Sequence, residues 1–391
     1  MIAALPRPSR EKAAFAGIFL VTLVGLLSVG ALIPVLPRFV RGPIDSGNLA
    51  VGIVIGAYAL TGIAFRPIAG RLADAYGRRP IVVAGALTAT AAGACLFLPA
   101  SLPTLILSRL LLGAGEGAVF TAGSAWVVDI APAARRARII GYYGLSIWMG
   151  LSLGPAIGEF LLQAGGYELV WAFATAAPLA SFVVATRIND TYSPSPDKGK
   201  RAPLLAKEAL GPGAALALAS TGYAAMAAFV VLHLKAEGST HGAAVFSAFA
   251  ATLVATRILA GWLPDRVGPR PVAAAAAALE AAGLVVIAVT HSFAVALIGA
   301  VMMGAAYSVL YPSLSLIVVS RVPQARRGAA LGTFTGAFDL GVGLGAPIVG
   351  LAVSLGGYPS GFALAAFLSA IPAVIGGFRL ARDRGIGPRP A

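Results

Sequence analysis

Residues 66–80 read Arg-Pro-Ile-Ala-Gly-Arg-Leu-Ala-Asp-Ala-Tyr-Gly-Arg-Arg-Pro, and residues 257–271 read Arg-Ile-Leu-Ala-Gly-Trp-Leu-Pro-Asp-Arg-Val-Gly-Pro-Arg-Pro. Adding 191 to Arg66, Gly70, Leu72, Asp74, Gly77, Arg79 and Pro80 gives Arg257, Gly261, Leu263, Asp265, Gly268, Arg270 and Pro271. The same offset takes Gly113 to Gly304, Pro132 to Pro323, and Arg135 and Arg136 to Arg326 and Arg327. It also takes Gly141, Gly154, Gly165, Gly166 and Tyr167 to Gly332, Gly345, Gly356, Gly357 and Tyr358. One gapless offset held across about a hundred positions is hard to obtain from common residues by chance, so the chain is one unit written twice.

The composition says what that unit is made of. Of 391 residues, 58% are hydrophobic and 11% charged, against about a quarter charged in soluble domains. Uncharged runs cover 13–37, 46–65, 80–108, 139–158, 209–234 and 238–256, each long enough for the ~20 residues of a membrane-crossing helix. Two longer runs, 281–320 and 340–378, exceed one crossing and read as parts of helices joined by short turns. The expected fold is an all-α polytopic membrane protein of twelve helices, at 14–38, 48–69, 80–100, 104–128, 139–163, 168–187, 210–234, 242–263, 271–290, 293–319, 328–354 and 359–379. They form two six-helix bundles related by pseudo-two-fold symmetry, 1–187 and 209–391, joined by a polar cytoplasmic linker, 188–208, that carries Asp190, Lys198, Lys200 and Arg201. Six is even, so both copies keep one orientation, and the repeat is parallel.

The net charge is +14. With the N-terminus inside, 23 of the 29 Lys and Arg residues fall in cytoplasmic segments, Arg38, Arg41 and Lys235 fall outside, and Arg66, Arg109 and Arg257 fall within helices. This positive-inside distribution places both termini in the cytoplasm of a bacterial inner membrane. No basic region is separate from the membrane helices, which argues against nucleic acid as a partner. The first uncharged run, 25 residues after Arg7, Arg10 and Lys12, is too long for a secretion signal. Cys95 is the one cysteine, which excludes an internal disulfide and a multi-cysteine metal site. No metal or other cofactor is expected.

The order Gly70-x-Leu72-Ala73-Asp74-x-x-Gly77-Arg78-Arg79, with its degenerate copy at Gly261, resembles the signature loop of the major facilitator superfamily. The resemblance extends over nearly the whole chain and points to the twelve-helix drug:proton antiporter branch. Ala75 stands where the family usually has a basic residue, and Pro269 replaces the match to Arg78. The resemblance implies a cytoplasmic latch of Gly70, Asp74, Gly77, Arg78 and Asp129. Asp74 would face the N-terminus of the eleventh helix near residue 328, where a helix dipole favours a carboxylate, and Arg78 would pair with Asp129. In the fifth helix, Gly150-x-x-x-Gly154-Pro155-x-x-Gly158 is similar to the family's antiporter motif, although Glu159 stands where a glycine is common; close helix packing alone would also suit these glycines. In the second half, Gly341 to Gly350 keeps glycines and moves the proline to Pro347.

Intramembrane charge singles out further residues. Arg109 begins a stretch similar to the family's Arg-x-x-Gln-Gly, with Leu112 in place of Gln. A lone arginine at mid-membrane costs at least ~2.5 kcal/mol and needs a partner or a watery cavity. Glu116, two turns on along the same face, makes the two either a structural ion pair or a proton-coupling pair. Asp339 lies near the centre of the eleventh helix, with no basic residue within several turns of that helix. A carboxylate buried without a partner takes up and releases a proton near neutral pH. Asp339 is therefore the first candidate proton carrier, against the alternative of a neutral Asp bonded to a nearby hydroxyl or carbonyl. Glu280 is a weaker candidate, because ninth helices in the family lie outside the cavity. Arg66 and Arg257 sit one turn before a loop glycine and read as structural, snorkelling to the cytoplasm. The resemblance puts helices one, four, seven and ten around the cavity, which gives Tyr223, Tyr307 and Tyr311 as substrate contacts, with Trp148 and Phe338 adding to the surface.

His233, His241 and His291 fall near the expected outer surface with no nucleophile or ligand at motif spacing, so catalysis has little support. A non-transporting receptor on the same fold is possible, but would have no use for acids at proton-accessible depth. The expectation is a monomeric proton-coupled antiporter that exports small amphipathic molecules by alternating access. The competing expectation is export of a specific polar metabolite, such as a sugar or a metal-chelating metabolite, with Arg109 on an anionic group.

Overall fold

The computed structural model describes residues 10–131, 136–188, 206–239, 241–323 and 327–385. Its helices, in chain order, are α1 (Arg10–Leu32), α2 (Leu36–Arg41), α3 (Asn48–Tyr76), α4 (Arg78–Ala94), α5 (Leu102–Ile130), α6 (Arg136–Arg187), α7 (Lys207–Ala236), α8 (Gly242–Ala260), α9 (Leu263–Val267), α10 (Pro269–Val289), α11 (Phe293–Val319) and α12 (Arg327–Gly385). Among the described residues, ten helices are long and apolar enough to cross a membrane; two of these spans, Tyr142–Arg187 and Ala330–Gly377, run 46 and 48 residues. At ~20 residues per crossing each of those two crosses twice, so the crossings number twelve. The short α2 and α9 were not expected from the sequence. Most of the linker, residues 189–205 with Asp190, Lys198, Lys200 and Arg201, lies outside the described residues, as do Pro132, Arg135 and Arg326 of the repeat.

The repeat is written into the backbone as well as the sequence. Both double spans bend at a glycine pair, Gly165–Gly166 in α6 and Gly356–Gly357 in α12, with φ of 67° at Gly166 and 78° at Gly357. Gly77 and Gly268, which end α3 and α9, have φ of 100° and 102°. Residues with a Cβ resist this region, so glycine is required at each turn, and both pairs are 191 residues apart. Other boundaries have local causes too: the Ser101 side chain accepts a hydrogen bond from Thr104 N (3.3 Å) and caps α5.

The first half (α1–α6) and the second (α7–α12) share a core at one end only. There a single apolar cluster joins Ile33, Val54 and Trp171 of the first half to Phe229, Val245 and Ala346 of the second. At the other end, which carries the linker, the cores are separate: one contains Ile18, Val82, Trp126 and Ile188, the other Leu216, Val272, Val318 and Phe334. The halves touch along α3 with α12 and along α6 with α8. The α3–α12 seam is close because glycines line it: a methyl on Gly52 would lie 2.8 Å from the Pro347 Cα, and one on Gly350 2.7 Å from the Asn48 carbonyl. Toward the linker end, Gly332 and Gly336 of α12 and Gly144 of α6 face open space. Among the described residues, the two halves thus share an apolar core at one end and keep separate cores at the linker end.

Candidate proton and ligand site

Tyr58, Gly62 and Arg66 recur every fourth residue on α3 and share one face. That face lies against α5, where Gly113 sits so close to the Tyr58 backbone that no Cβ fits without displacement, and Gly117 leaves room for the Arg66 side chain. Two guanidinium groups are held by aromatic faces in consequence. Arg66 lies 5.0 Å from the Phe120 ring centroid and Arg109 lies 4.9 Å from that of Tyr58. Such stacking satisfies a guanidinium in part while leaving its edge nitrogens available.

For Arg66 those nitrogens are taken by Asp339 of α12. Arg66 Nη2 donates to Asp339 Oδ1 (3.2 Å), and Arg66 Nε lies 2.9 Å from Oδ2, an ion-pair distance without a hydrogen bond's alignment. This overturns two sequence expectations. Asp339 is buried but has a partner, and Arg66 reaches Asp339 instead of snorkelling to the cytoplasm. The pair joins residues 273 apart in sequence, one from each half, at the point where the seam gives way to the open space at Gly336.

The expected association of Arg109 with Glu116 is not found. Both side chains are buried, yet Arg109 Nε and Nη1 and Glu116 Oε2 have no hydrogen-bond partner. Glu116 points at α1 instead, its Oε1 2.5 Å from where a methyl on Gly25 would sit. Seven residues of helix carry the two groups about 10 Å apart along the axis, and their side chains turn to different neighbours. Tyr58 is the residue that sequence reasoning missed; its four-residue spacing to Gly62 and Gly62's to Arg66 was the available signal.

Four of the five aromatic candidates converge. Tyr223 stacks on Tyr307 (6.2 Å between centroids), Phe338 lies 5.9 Å from Tyr223 and 6.4 Å from Tyr307, and Trp148 of the first half meets Tyr307 edge-on at 6.3 Å. Tyr307 Oη shares a hydrogen bond with Ser220 Oγ (3.0 Å). Arg109 is within electrostatic reach of Tyr223, one ring of this cluster. Tyr311 stands apart, against Phe334 (5.2 Å) and hydrogen-bonded to Thr335 (3.1 Å), within electrostatic reach of Arg66, Arg257 and Asp339.

Comparison with known proteins now fits this architecture. The family model described as Major Facilitator Superfamily matches residues 18–242 and 213–390. The chain belongs to the major facilitator superfamily. It is 31% identical over 357 residues to the uncharacterized MFS-type transporter YhhS of Escherichia coli strain K12, covering 88% of this chain and 87% of that one. Its fold is similar to the crystal structures of the human organic anion transporter MFSD10 (TM-score 0.71, 18% identity, 94% of this chain and 100% of that one) and of the nucleoside transporter NupG (TM-score 0.77, 11% identity, 94% and 99%). The protein is therefore a multi-pass membrane transporter of the superfamily.

Within that family frame, the loop after α3 is organised around Arg78. Its Nε donates to Asp129 Oδ2 (3.0 Å), and its Nη1 donates to Asp74 Oδ1 (2.6 Å) and to the Ala73 carbonyl (2.7 Å). These contacts lie inside the first half. The side chains at the start of α12, around residue 328, are outside the description. Gly150, Gly154 and Gly158 seat α6 on α1: methyl groups on them would each strike the Leu26–Ala31 stretch. Pro155 sits inside α6, whose only non-helical dihedrals are at Gly165 and Gly166. Glu280 is buried beside Gly222 of α7, with Ser369 of α12 adjoining the same glycine. His291 pairs with Glu237 (2.6 Å) and is exposed, while His233, in the last turn of α7, is buried and bonded to the Ile287 carbonyl (3.0 Å).

Proposed function

We propose that this transporter is a proton-coupled exporter of small amphipathic molecules in a bacterial inner membrane, working as a monomer by alternating access. The observation that carries the reading is the Arg66–Asp339 pair, which makes a contact between the halves depend on the charge of one buried carboxylate. Protonation of Asp339 neutralises it, releases Arg66 and loosens α3 from α12; loss of the proton restores the attraction. Proton binding thus changes the free energy of one arrangement of the halves relative to the other, which is what coupling requires.

With the linker end on the cytoplasmic side, as the distribution of basic residues argues, the parted halves correspond to an inward-facing state. Asp339 then exchanges its proton with the cytoplasm, and substrate enters from there toward the aromatic cluster. Glu116, buried in α5 beside Gly25, is a second acid on the same side of the bundle. Export rather than import is supported by the likeness of Gly150, Gly154, Pro155 and Gly158 to the antiporter motif. The Arg78–Asp129 and Arg78–Asp74 contacts hold the loop that would act as the latch of the opposite state.

The test uses purified protein in liposomes with a pH-sensitive dye, an imposed proton gradient, and a panel of aryl anions, cationic drugs, sugars and metal chelates. Substrate-dependent proton flux is expected, and Asp339→Asn is expected to abolish it while leaving downhill substrate movement. Flux that stays fully driven by the gradient in Asp339→Asn would remove Asp339 from the mechanism.

A further inference from the structure

The carboxylates near the site leave Arg109 without a counter-charge. Asp339 is held by Arg66, and Glu116 is turned to Gly25 of α1. Arg109 itself is 3% exposed, lies 4.9 Å from the Tyr58 ring centroid, and has no hydrogen-bond partner at Nε or Nη1. A buried guanidinium with unpaired nitrogens is a strong donor to the oxygens of a carboxylate, sulfonate or phosphate. The neighbourhood of that guanidinium is aromatic. Tyr223 lies within electrostatic reach of Arg109 and stacks on Tyr307, with Phe338 and Trp148 around them.

From this juxtaposition we infer that the transported molecule is an amphipathic organic anion, whose acidic group binds Arg109 and whose apolar body lies among Tyr223, Tyr307, Phe338 and Trp148. The inference rests on the transport reading above and names the substrate class of that same site. A cationic compound would meet a buried positive charge at Arg109, although Glu280, within electrostatic reach of Tyr307, has no hydrogen-bond partner at either carboxylate oxygen. A sugar would need many polar partners, and the Tyr307 hydroxyl is already engaged with Ser220. An inside-negative membrane potential also favours outward movement of an anion.

The experiment is calorimetric titration of the full-length protein in detergent with benzoate, 2-naphthoate and anthracene-2-carboxylate, each beside its amide and its arylmethylamine. At least one carboxylate is expected to bind at least tenfold more tightly than its amide or amine, and Arg109→Gln to weaken that carboxylate at least tenfold with the amide unchanged. An amide or amine that binds as tightly as its carboxylate, a carboxylate held equally by Arg109→Gln, or no binding of any carboxylate overturns the inference. Should Arg109→Gln fail to fold, the comparison of ligands on the wild-type protein decides alone. The readings separate because binding needs no gradient. Carboxylate binding without proton flux in liposomes would keep the substrate class and sink proton-coupled export, whereas flux driven only by sugars or cations would do the reverse.

Discussion

Removing both members of the Arg66–Asp339 pair should cost less than the sum of removing each. With charge centres ~4 Å apart and an effective dielectric of ~20, the attraction is about 4 kcal/mol. Desolvation of Asp339, whose side chain is 4% exposed, offsets part of this, and water reaches Arg66, whose side chain is 23% exposed. The net coupling expected is about 1–3 kcal/mol. Asp339→Asn and Arg66→Gln should each lower stability by about 2–4 kcal/mol, because each leaves the other group buried without its partner. The double variant should recover the coupling term. Equilibrium denaturation of the four proteins in mixed micelles at one pH gives the cycle directly. A coupling within ~0.5 kcal/mol of zero would mean the two groups act independently, and the link between carboxylate charge and the joining of the halves would be lost. At the expected strength, losing the pair shifts the balance between arrangements of the halves by about 5–150-fold.

Two further outcomes follow from the packing. In a background with Cys95, the one native cysteine, replaced by serine, Asn48→Cys with Gly350→Cys should cross-link readily, while single cysteines at Gly144 and Gly332 should react with a membrane-impermeant maleimide only from the linker side; labelling from the opposite side would reverse which end is open. Gly154→Val drives its side chain into the Gly30 backbone, which lies 2.5 Å from an added methyl, whereas Gly144 has open space around it; the first should lose about 1–3 kcal/mol or fail to yield folded protein on size exclusion, and Gly144→Val should stay within ~0.5 kcal/mol of wild type.

Legibility differed between levels of structure. Crossings were readable because a bilayer demands long uncharged helices, and their ends were readable because only glycine turns comfortably at Gly77, Gly166, Gly268 and Gly357. The pairing of charges was not. Asp339 looked partnerless because its helix holds no basic residue near it, and Arg66 looked structural because it sits one turn from a loop. Glu116 and Arg109 looked like partners because they share a helix face, but each side chain reaches outward to whichever neighbouring helix packs there. The aromatic candidates fared better, since four of the five lie on helices that the fold brings to one centre, while the fifth, Tyr311, points toward the linker end with Phe334.

The sequence by itself determined the solvent of this protein, the number of its crossings, its duplication and the sites of its bends. Those properties depend on local composition and on backbone angles that single residues permit or refuse. Tertiary structure alone decided that Arg66 meets Asp339 across 273 residues, that Arg109 rests on Tyr58 with nitrogens to spare, and that among the described residues the halves share a core at one end and keep separate cores at the other. A buried charge requires a partner, but which partner it finds is settled by helices that touch far apart in the chain, and no local pattern encodes that contact.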